Sequence, residues 1–348
     1  MKNQELKRKM LISALTFLMA FGMTNSIIAS SWRIGTSTYK PHFTSISEAM
    51  SSENVQDGDT LYLDPSISLS SSTVTKAVTI VGTGSSGSSI SGIALSAENC
   101  KVLGCWINGD VTMKSPNTTL ERCYISGTVD MNNQENAIIR QCRIEITSGS
   151  NTDVIKHGIN SILENNIIIN SWKKSASGSG AAYKGHTISG MLNCIFRNNY
   201  IERNYQINTV NYSGDNSGYV LSNFSNCEII NNIILNRSYN DFLSNYTYFK
   251  EYTFTSFSNC TLYHNLLSSS ENSLYPYNLF SQSYNGLNPT NGQGYATDGS
   301  DCGPYGGSNP YVDNCRPFGH PYNVKMNITL PDIDGILKVS SDTRIQNQ

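Results

Sequence analysis

Nine residues of this chain, Asn193 to Ile201 (NCIFRNNYI), recur twice downstream at a fixed interval. The pattern returns as NCEIINNII from Asn226 and as NCTLYHNLL from Asn259, 33 residues apart each time. Looser copies of the skeleton N-x-x-φ-x-x-(C/N)-x-φ, where φ is apolar, begin at Asn99, Asn117, Asn136 and Asn160. Seven copies at intervals of 18, 19, 24, 33, 33 and 33 residues form an internal repeat. Such a repeat predicts a solenoid.

The period within each copy indicates strands. When the leading Asn is numbered zero, offsets three and eight are always large and apolar, and offset one is always small. Offset four carries side chains that we expect in water: Glu121, Arg140, Glu164 and Arg197. Inward and outward positions therefore alternate with period two, as in a strand. Short strands in every copy predict the stacked coils of a parallel β-helix; a leucine-rich horseshoe, the main alternative, would need an L-x-x-L-x-L run.

Offset six is Cys in three copies and Asn in the last four. The residues are Cys105, Cys123, Cys142, Asn166, Asn199, Asn232 and Asn265. Because neighbouring coils lie about 4.8 Å apart, equivalent side chains sit above one another. We therefore expect the asparagines to form a hydrogen-bonded ladder, a structural role without catalysis.

Residues 1–30 indicate a secretory signal peptide. Four basic residues precede an apolar run from Met10 to Met23, which is too short for a comfortable membrane span, and small residues follow near Ala29 and Ser30. We expect cleavage near Ala29 or Ser30 and no transmembrane segment afterwards. Removing this leader leaves 20 basic and 25 acidic residues, a net charge of about −5, which is unlike the basic footprint of a nucleic-acid binder.

The chain has nine cysteines, an odd number for an exported protein. Seven occupy inward offsets of the repeat, where we expect buried thiols acting as small hydrophobes. Cys302 and Cys315 lie outside the repeat and are the better candidates for a disulfide.

The residues that precede the repeat predict a helical cap at the N-terminal end of the solenoid. Ser45 and Glu48 form a capping box for a short helix from about Ser45 to Ser52, which would close the N-terminal end of the stack. Strands are expected at Thr60 to Leu63 and at Ala77 to Val81.

The segments GDTLYL and KAVTIVGTG, together with the coils, resemble a right-handed single-stranded parallel β-helix of the pectin-lyase-like superfamily. The tail, with TDGSDCGPYGG at 297–307 and NPYV at 309–312, is similar to secreted Bacteroidetes β-helix proteins. The resemblance implies an all-β fold and a secreted, periplasmic or cell-surface bacterial protein. We therefore divide the chain into a leader (1–30), a β-helix domain (31–285) and a Gly/Pro/Asn-rich C-terminal cap or tail (286–348), in which Ile328 to Leu330 and Ile336 to Val339 are expected strands.

The longer coils predict where a functional site lies. Their surplus residues form three loops, about 170–185, 203–218 and 236–252, which should stack on one side of the solenoid. Aromatic, amide and basic side chains suit a polysaccharide or other glycan, although the aromatics also suit packing of the loops. The candidate substrate-binding residues are Trp172, Lys173, Tyr183, Arg203, Tyr205, Tyr212, Tyr239, Tyr246 and Tyr248.

Catalytic motifs are incomplete. Calcium is possible, but the loops lack the acidic cluster that a pectate lyase site needs, so no metal or cofactor is predicted. The paired carboxylates of a hydrolase are also missing, and Thr187 breaks a Gly-His-Gly motif. A metal-free lyase needs a base, for which the weak catalytic candidates are Lys156, His157, Lys184, His186, Asp215 and Asp241.

Three functions follow from these patterns. The first is an exported protein that binds polysaccharide through the stacked loops without chemistry. The second is a polysaccharide lyase or glycoside hydrolase acting on an acidic glycan. The third is a structural or adhesin-like surface protein. No oligomeric state follows from the repeat.

Overall fold

The computed structural model describes residues 29–36, 38, 40–147, 152–173, 185–207, 218–240, 245–248, 253–268, 277–280, 287, 289–315, 321–328 and 339–345. The predicted signal peptide lies outside these residues, apart from Ala29 and Ser30.

Three sheets run along the stack, and within the described residues each complete coil contributes one strand to each of them in the order A, B, C, whereas the coils at the two ends contribute to fewer sheets. Within the described residues, sheet A contains Ser31–Ile34, Thr60–Leu63, Thr79–Val81, Lys101–Leu103, Thr119–Glu121, Ile138–Arg140, Ile162–Glu164, Ile195–Arg197, Glu228–Ile230 and Thr261–Tyr263. Sheet B contains Ser68–Leu69, Ser89–Ile90, Trp106–Ile107, Tyr124–Ile125, Arg143–Ile146, Ile167–Lys173, Tyr200–Ile207, Ile233–Asn240, Leu266–Leu267 and Leu279–Phe280. Sheet C contains Ser72–Val74, Ile93–Leu95, Val111–Met113, Val129–Asp130, Ile155–Ile159, Ile188–Leu192, Leu221–Ser225 and Phe254–Ser258.

Neighbouring strands in all three sheets pair in parallel, and a chain that repeats the order A, B, C in this way is a right-handed parallel β-helix. One strand on the margin of sheet B departs from this, since Asn245–Tyr248 pairs antiparallel with Ile233–Asn240. Beyond the coils, Pro321–Ile328 and Val339–Ile345 form a separate antiparallel pair. Of the two strands expected in the tail, only Ile328 and Val339 fall within this pair, and the other positions lie outside the described residues.

The predicted asparagine ladder is present and one rung longer than expected. Asn166 Nδ2 donates to Asn199 Oδ1 at 2.9 Å, and the same contact links Asn199 to Asn232 at 2.9 Å and Asn232 to Asn265 at 3.0 Å. Asn278 continues it, accepting from Asn265 Nδ2 at 2.9 Å. Each of these carbonyl oxygens also accepts the backbone N–H of the previous rung. The ladder therefore pairs side-chain and main-chain polar groups inside an apolar bore.

The offset-four residues point outward as predicted, but the expectation that all of them are solvated is wrong. The side chains of Glu121 and Glu164 are largely buried. Each accepts a charge-assisted hydrogen bond from the arginine one coil later, Arg140 and Arg197 respectively, at 2.6 Å. Coil stacking places opposite charges directly above one another, which compensates the loss of hydration.

The N-terminal cap forms as predicted. Helix α1 spans Ile46–Ser51, and the Ser45 hydroxyl accepts the N–H of Glu48 at 3.1 Å. In return, the Glu48 carboxylate accepts the N–H of Thr44 at 2.7 Å. Ile46, Ala49 and Met50 are buried in the main core, so the helix closes the apolar bore at its first coils.

All nine cysteines are free thiols. The repeat cysteines are buried as expected, apart from the half-buried Cys260. The pairing considered for Cys302 and Cys315 is absent, because the two thiols contact different coils. Cys302 Sγ donates to His264 O at 3.2 Å, whereas Cys315 lies 3.7 Å from the hydroxyl of Tyr311.

Residues 289–315, which we call the strap, lie along the side of the stack and run against its direction of growth. Thr297 bonds to Asn231 at 3.0 Å, Gly306 to Asn165 at 2.7 Å, Pro310 to Gln141 at 2.6 Å and Asn314 to Ser85 at 2.9 Å. Its apolar side chains pack on the outer face of sheet B, where Ala296, Cys302 and Tyr311 join a second core cluster. The strap thus makes this part of the tail a lateral cover rather than an end cap.

The docking column for the strap is offset five, the residue immediately before the ladder. Its backbone is left-handed in all seven coils, at Gly104, Arg122, Gln141, Asn165, Asn198, Asn231 and His264. That conformation reverses the chain so that offset five points outward while offset six points into the bore. One turn therefore supplies both the internal ladder and the external anchor.

Candidate functional site

The outer face of sheet C carries a straight column of side chains, all polar except Ala94, which we call the polar row. Its members stand in register, one per coil: Thr73, Ala94, Thr112, Asp130, Lys156, Ser189, Ser222 and Thr255. Ser189 and Ser222 are buried, whereas Thr73 to Lys156 remain at least partly exposed. The accessible segment spans four coil steps of about 4.8 Å, roughly 19 Å in all.

A cleft of about 640 Å³ opens at the N-terminal end of the polar row. It lies between helix α1 and the first strands of sheet C, and Thr73, Ala94 and Thr112 contribute to its lining. Most of the other lining side chains are hydroxyls or small: Ser47, Ser51, Ser71, Ser72, Thr75, Ser91 and Gly92. The cleft is therefore wide and polar, with hydrogen-bonding groups rather than an apolar pocket.

A charged cluster occupies the other end of the accessible row. Asp130 Oδ1 lies 3.0 Å from His157 Nδ1, and Asp130 Oδ2 lies 3.4 Å from Lys156 Nζ. Burial by itself would raise the pKa of Asp130, but hydrogen bonds from His157 and from the Asn132 N–H, with the charge of Lys156, hold that pKa below its ordinary value. Asp130 is thus a carboxylate, which requires that a neutral His157 carries its proton on Nδ1. The Nε2 lone pair is then available on a half-exposed ring.

The backbone of His157 is unusual for its residue type. Its φ is 61°, in the left-handed region. The same position of the next three coils is also left-handed, and there it is filled by Gly190, Asn223 and Ser256. Asn and Gly adopt this conformation most easily, so a bulky imidazole here is not required by the backbone. The position turns the side chain outward toward Asp130.

His186 is also a catalytic candidate, but its backbone N–H and its ring Nδ1 both make hydrogen bonds that hold neighbouring coils together. Its backbone N–H donates to Asp153 Oδ1 at 2.7 Å, and its Nδ1 accepts the N–H of Tyr219 at 3.0 Å. The ring centroids of His186 and Tyr219 lie 5.8 Å apart, with the ring planes tilted by 31°. Burial lowers the pKa of His186 despite the nearby Asp153 carboxylate, so the ring is neutral with its proton on Nε2. Without an available lone pair, His186 serves as a hydrogen-bonded rung between coils.

The predicted loops begin as strands. Ile167–Lys173, Tyr200–Ile207 and Ile233–Asn240 extend sheet B past the ordinary coil and pair in register, Trp172 with Tyr205 and Lys173 with Gln206. Arg203 therefore lies in a strand rather than a loop, and its side chain is fully buried, with Nε 3.4 Å from Gly185 O. This placement does not expose it to a substrate.

The other predicted contacts are described only in part. For Trp172, Lys173, Tyr205, Tyr239, Tyr246 and Tyr248 the backbone positions in strands are described, but not the side chains. Tyr183, Lys184, Tyr212, Asp215 and Asp241 lie outside the described residues. Of the six catalytic candidates, Lys156 and His157 are brought together, and sequence reasoning missed their partner Asp130. Asp130 pairs in register with Lys156 one coil later. This pairing could not be read from the sequence, because the coils differ in length.

No group of three or more His, Cys, Asp or Glu side chains in the described part of the chain is arranged to hold a metal ion. Asp298 and Asp301, the acidic pair of the tail, are used in turns. Asp298 Oδ1 accepts the N–H and hydroxyl of Ser300, and Asp301 Oδ1 accepts the N–H of Gly294 at 3.0 Å. Over the same described residues, the one α-helix is far too short to cross a bilayer.

No family model and no curated protein matches the chain. Among solved structures, it is similar to a PL6 family polysaccharide lyase from Pseudopedobacter saltans, with 10% sequence identity and a TM-score of 0.32. The alignment covers 82% of this chain and 98% of the lyase chain. The fold assignment rests on the hydrogen-bonded register of the three sheets.

Proposed function

We propose that this protein is exported and binds a polysaccharide along the accessible polar row of sheet C. The observation that carries the proposal is the register column from Thr73 to Lys156, which continues from a hydroxyl-lined cleft into a charged cluster. Hydroxyls, a carboxylate and an amine at a regular coil spacing suit a linear polymer whose own hydroxyls recur along its length. The rigid sheet holds these groups in place, which lowers the entropic cost of binding.

The charged cluster favours an acidic glycan. Lys156 is the cationic member, and its side chain is 31% exposed. A uronate carboxylate in the row would accept charge-assisted hydrogen bonds from Lys156. A net charge of about −5 for the mature chain argues against general attraction of polyanions, so recognition would depend on this local cation.

A second candidate function, a polysaccharide lyase, is favoured by the Asp130–His157 contact. Asp130 orients the ring so that Nε2 of His157 is a base, and Lys156 stands beside it to balance the charge of a uronate carboxylate. In β-elimination the base removes the proton next to that carboxylate, and the glycosidic C–O bond at the adjacent carbon breaks. The departing sugar oxygen takes a proton, and an unsaturated sugar end remains.

One experiment separates the two functions and the structural or adhesin-like alternative. The mature protein is incubated with uronate-containing and neutral polysaccharides while affinity-gel retardation, new unsaturated ends and new reducing ends are followed. Retardation without new ends supports binding alone, and unsaturated ends support the lyase. Absence of both across the panel overturns the proposal and favours the structural role.

Matched variants locate the site. His157→Asn keeps a residue type that tolerates the left-handed backbone, as Asn133 and Asn223 do in other coils. It is combined with Lys156→Ala, and Lys101→Ala on the exposed face of sheet A is the control. We expect the double variant to weaken retardation by uronate polymers about tenfold or more, equivalent to about 1.4 kcal/mol, while the control matches the wild type. Equal retardation of both variants would place the site elsewhere.

A further inference from the structure

A second pocket lies on a different face of the solenoid, where the end of the strap meets the early strands of sheet B. Its volume is about 440 Å³, within the usual range for small-molecule sites. Tyr124, Arg143 and Glu145 of sheet B form one wall, and Tyr311, Asp313 and Asn314 of the strap form the other. The polar row belongs to sheet C, so the two sites are separate.

The register of sheet B explains why the pocket opens here. The outward column reads Trp106, Tyr124, Arg143, Ile167, Tyr200, Ile233 and Leu266. The strap packs on the later members, which are buried in the second core cluster. Trp106 and Tyr124 are earlier members that stay partly exposed, with ring centroids 6.3 Å apart and planes inclined by 37°. Tyr124 packs against the edge of the second core cluster, beside the end of the strap. We call these two rings the aromatic step.

The polar groups beside this step are held in fixed positions. The Tyr124 hydroxyl donates to Glu145 Oε1 at 2.6 Å, and Arg143 donates to Glu145 Oε2 through Nε at 2.9 Å and Nη2 at 2.7 Å. No hydrogen bond engages Nη1 of Arg143 within the described part of the chain. Asp313 is exposed at the rim, and the carbonyl of Asn314 accepts the N–H of Ser85 at 2.9 Å, which pins the end of the strap.

The backbone at Asn314, at the end of the strap, forms a tight turn beside the pocket. Its φ is 65°, and Cys315 follows with a φ of 52°, so two successive non-glycine residues are left-handed. Such backbone persists only where surrounding contacts determine it. Here the contact with Ser85 and the burial of Cys315 hold the turn, which presents the side chain of Asp313 to the rim.

We infer that this pocket binds a neutral sugar unit, with one face of the pyranose on the Tyr124 ring. The aromatic step offers a flat apolar surface, and the hydroxyls at the edge of the sugar meet Arg143 Nη1, Glu145 and Asp313. One arginine and two carboxylates give the lining a formal charge of −1, which disfavours a uronate. The charge preference is therefore opposite to that of the polar row, and the site would give the protein a second, independent carbohydrate contact.

The test uses the full mature chain and calorimetric titration with cellotriose, maltotriose and a galacturonate trisaccharide. We expect saturable binding of a neutral trisaccharide to the wild type and to the Lys156→Ala/His157→Asn double variant.

Tyr124→Ala should weaken binding of the neutral trisaccharide about tenfold or more, since truncating an aromatic anchor typically costs above 1 kcal/mol. Tyr124→Phe keeps the ring and loses the hydroxyl bond to Glu145, so it should retain part of the affinity and serves if Tyr124→Ala does not fold. Tyr62→Ala, an exposed tyrosine 42% accessible on sheet A, is the matched control.

The emission of Trp106 provides a local readout, because its indole Nε1 donates to Ser126 Oγ beside the pocket at 3.3 Å. A neutral sugar should shift tryptophan emission in the wild type but not in Trp106→Phe. Binding of the galacturonate trisaccharide alone, unchanged affinity in both Tyr124 variants, or no neutral binding at millimolar concentration would overturn the inference. Because the polar-row variants are titrated separately, failure at this pocket is distinguishable from failure of the proposed function.

Discussion

The backbone N–H of Ser30 donates to Oδ1 of Asp59 at 2.6 Å. Asp59 is 1% exposed, and its carboxylate also accepts the Trp32 indole N–H at 2.7 Å and the Gln56 N–H at 2.9 Å. One buried acid thus ties the first described residues to sheet A.

Replacing Asp59 with Asn should destabilise the N-terminal coils. The amide retains one acceptor oxygen, so at least one buried donor is left unsatisfied, which costs about 1–3 kcal/mol. Thermal melts at pH 7 measure the loss. Asn54→Leu, on an exposed turn residue, is a control that should leave the melting temperature unchanged.

The same acid should make stability depend on pH. Burial opposes ionisation, but the hydrogen bonds from Gln56, Trp32 and Ser30, with the charge of Lys76, hold the pKa of Asp59 below its ordinary value. Its contribution is therefore present above the unfolded pKa of about 4 and is lost as pH falls through the folded pKa. Melts from pH 7 down to pH 2 should show the wild type losing its advantage over Asp59→Asn at the acid end. A constant difference across the range would contradict this account.

Processing after Ala29 would put an α-ammonium where the Ser30 amide now stands. The new charge would lie beside the buried Asp59 carboxylate, so we expect an ion pair to stabilise this N-terminus. We predict that N-terminal sequencing of exported protein begins at Ser30. A mature terminus several residues downstream, which would remove Trp32 from its bond with Asp59, would refute the prediction.

Asn232→Leu should cost about 1–3 kcal/mol, because several groups lose partners at once. Asn232 Oδ1 accepts from the backbone and side chain of Asn199, and its Nδ2 donates to the Phe196 carbonyl at 2.9 Å. Denaturant melts measure the change, with Asn54→Leu again as the control. An unchanged midpoint would mean that the ladder does not stabilise the stack.

Gln141→Gly should loosen the end of the strap without backbone strain, because Gln141 has a φ of 53°. The change removes the Nε2 hydrogen bonds to Asn309 O at 3.2 Å and Pro310 O at 2.6 Å. Each lost hydrogen bond costs about 1 kcal/mol, so the fraction of molecules in which the end of the strap is detached should rise roughly 10–30-fold.

Thiol labelling reports that opening. Cys315, the last residue of the strap, is buried in the second core cluster, and burial raises the pKa of its thiol to about 11, so it should react slowly with a maleimide when the strap is closed. Peptide mapping should show faster labelling of Cys315 in Gln141→Gly. Asn133→Gly, at an exposed left-handed position away from the strap, should label at the wild-type rate.

The coils were predictable from sequence because inward offsets one, three and eight each keep one residue class in every copy, and the ladder was predictable because offset six is Asn in the last four copies. The docking role of offset five was not predicted. Its members, which include Arg122, Asn165 and His264, share a left-handed backbone conformation but no side-chain type, so the sequence shows no pattern there. The strap was hidden for a related reason: its contacts are made largely through its own carbonyls, as at Pro304 and Pro310, which leave no pattern in the sequence.

The candidate site was predictable only in part. Lys156 and His157 are adjacent in sequence and were identified, but Asp130 is 27 residues before His157, in a coil of a different length from its neighbours. A partner one coil away has no fixed spacing when coil lengths vary. Register, set by tertiary hydrogen bonding, brought the three together.

The strap has a consequence for how the chain unfolds. A stack in which each coil touches only its neighbours can fray from either end, one coil at a time. Here Gln141 donates hydrogen bonds to Asn309 and Pro310, which follow it by 168 and 169 positions in the chain. Several coils are therefore held by one strap that is synthesised after them. Early coils can pair before residues 289–315 are made, but the strap docks only after these residues follow, and its release would free coils from Ser85 to His264 together.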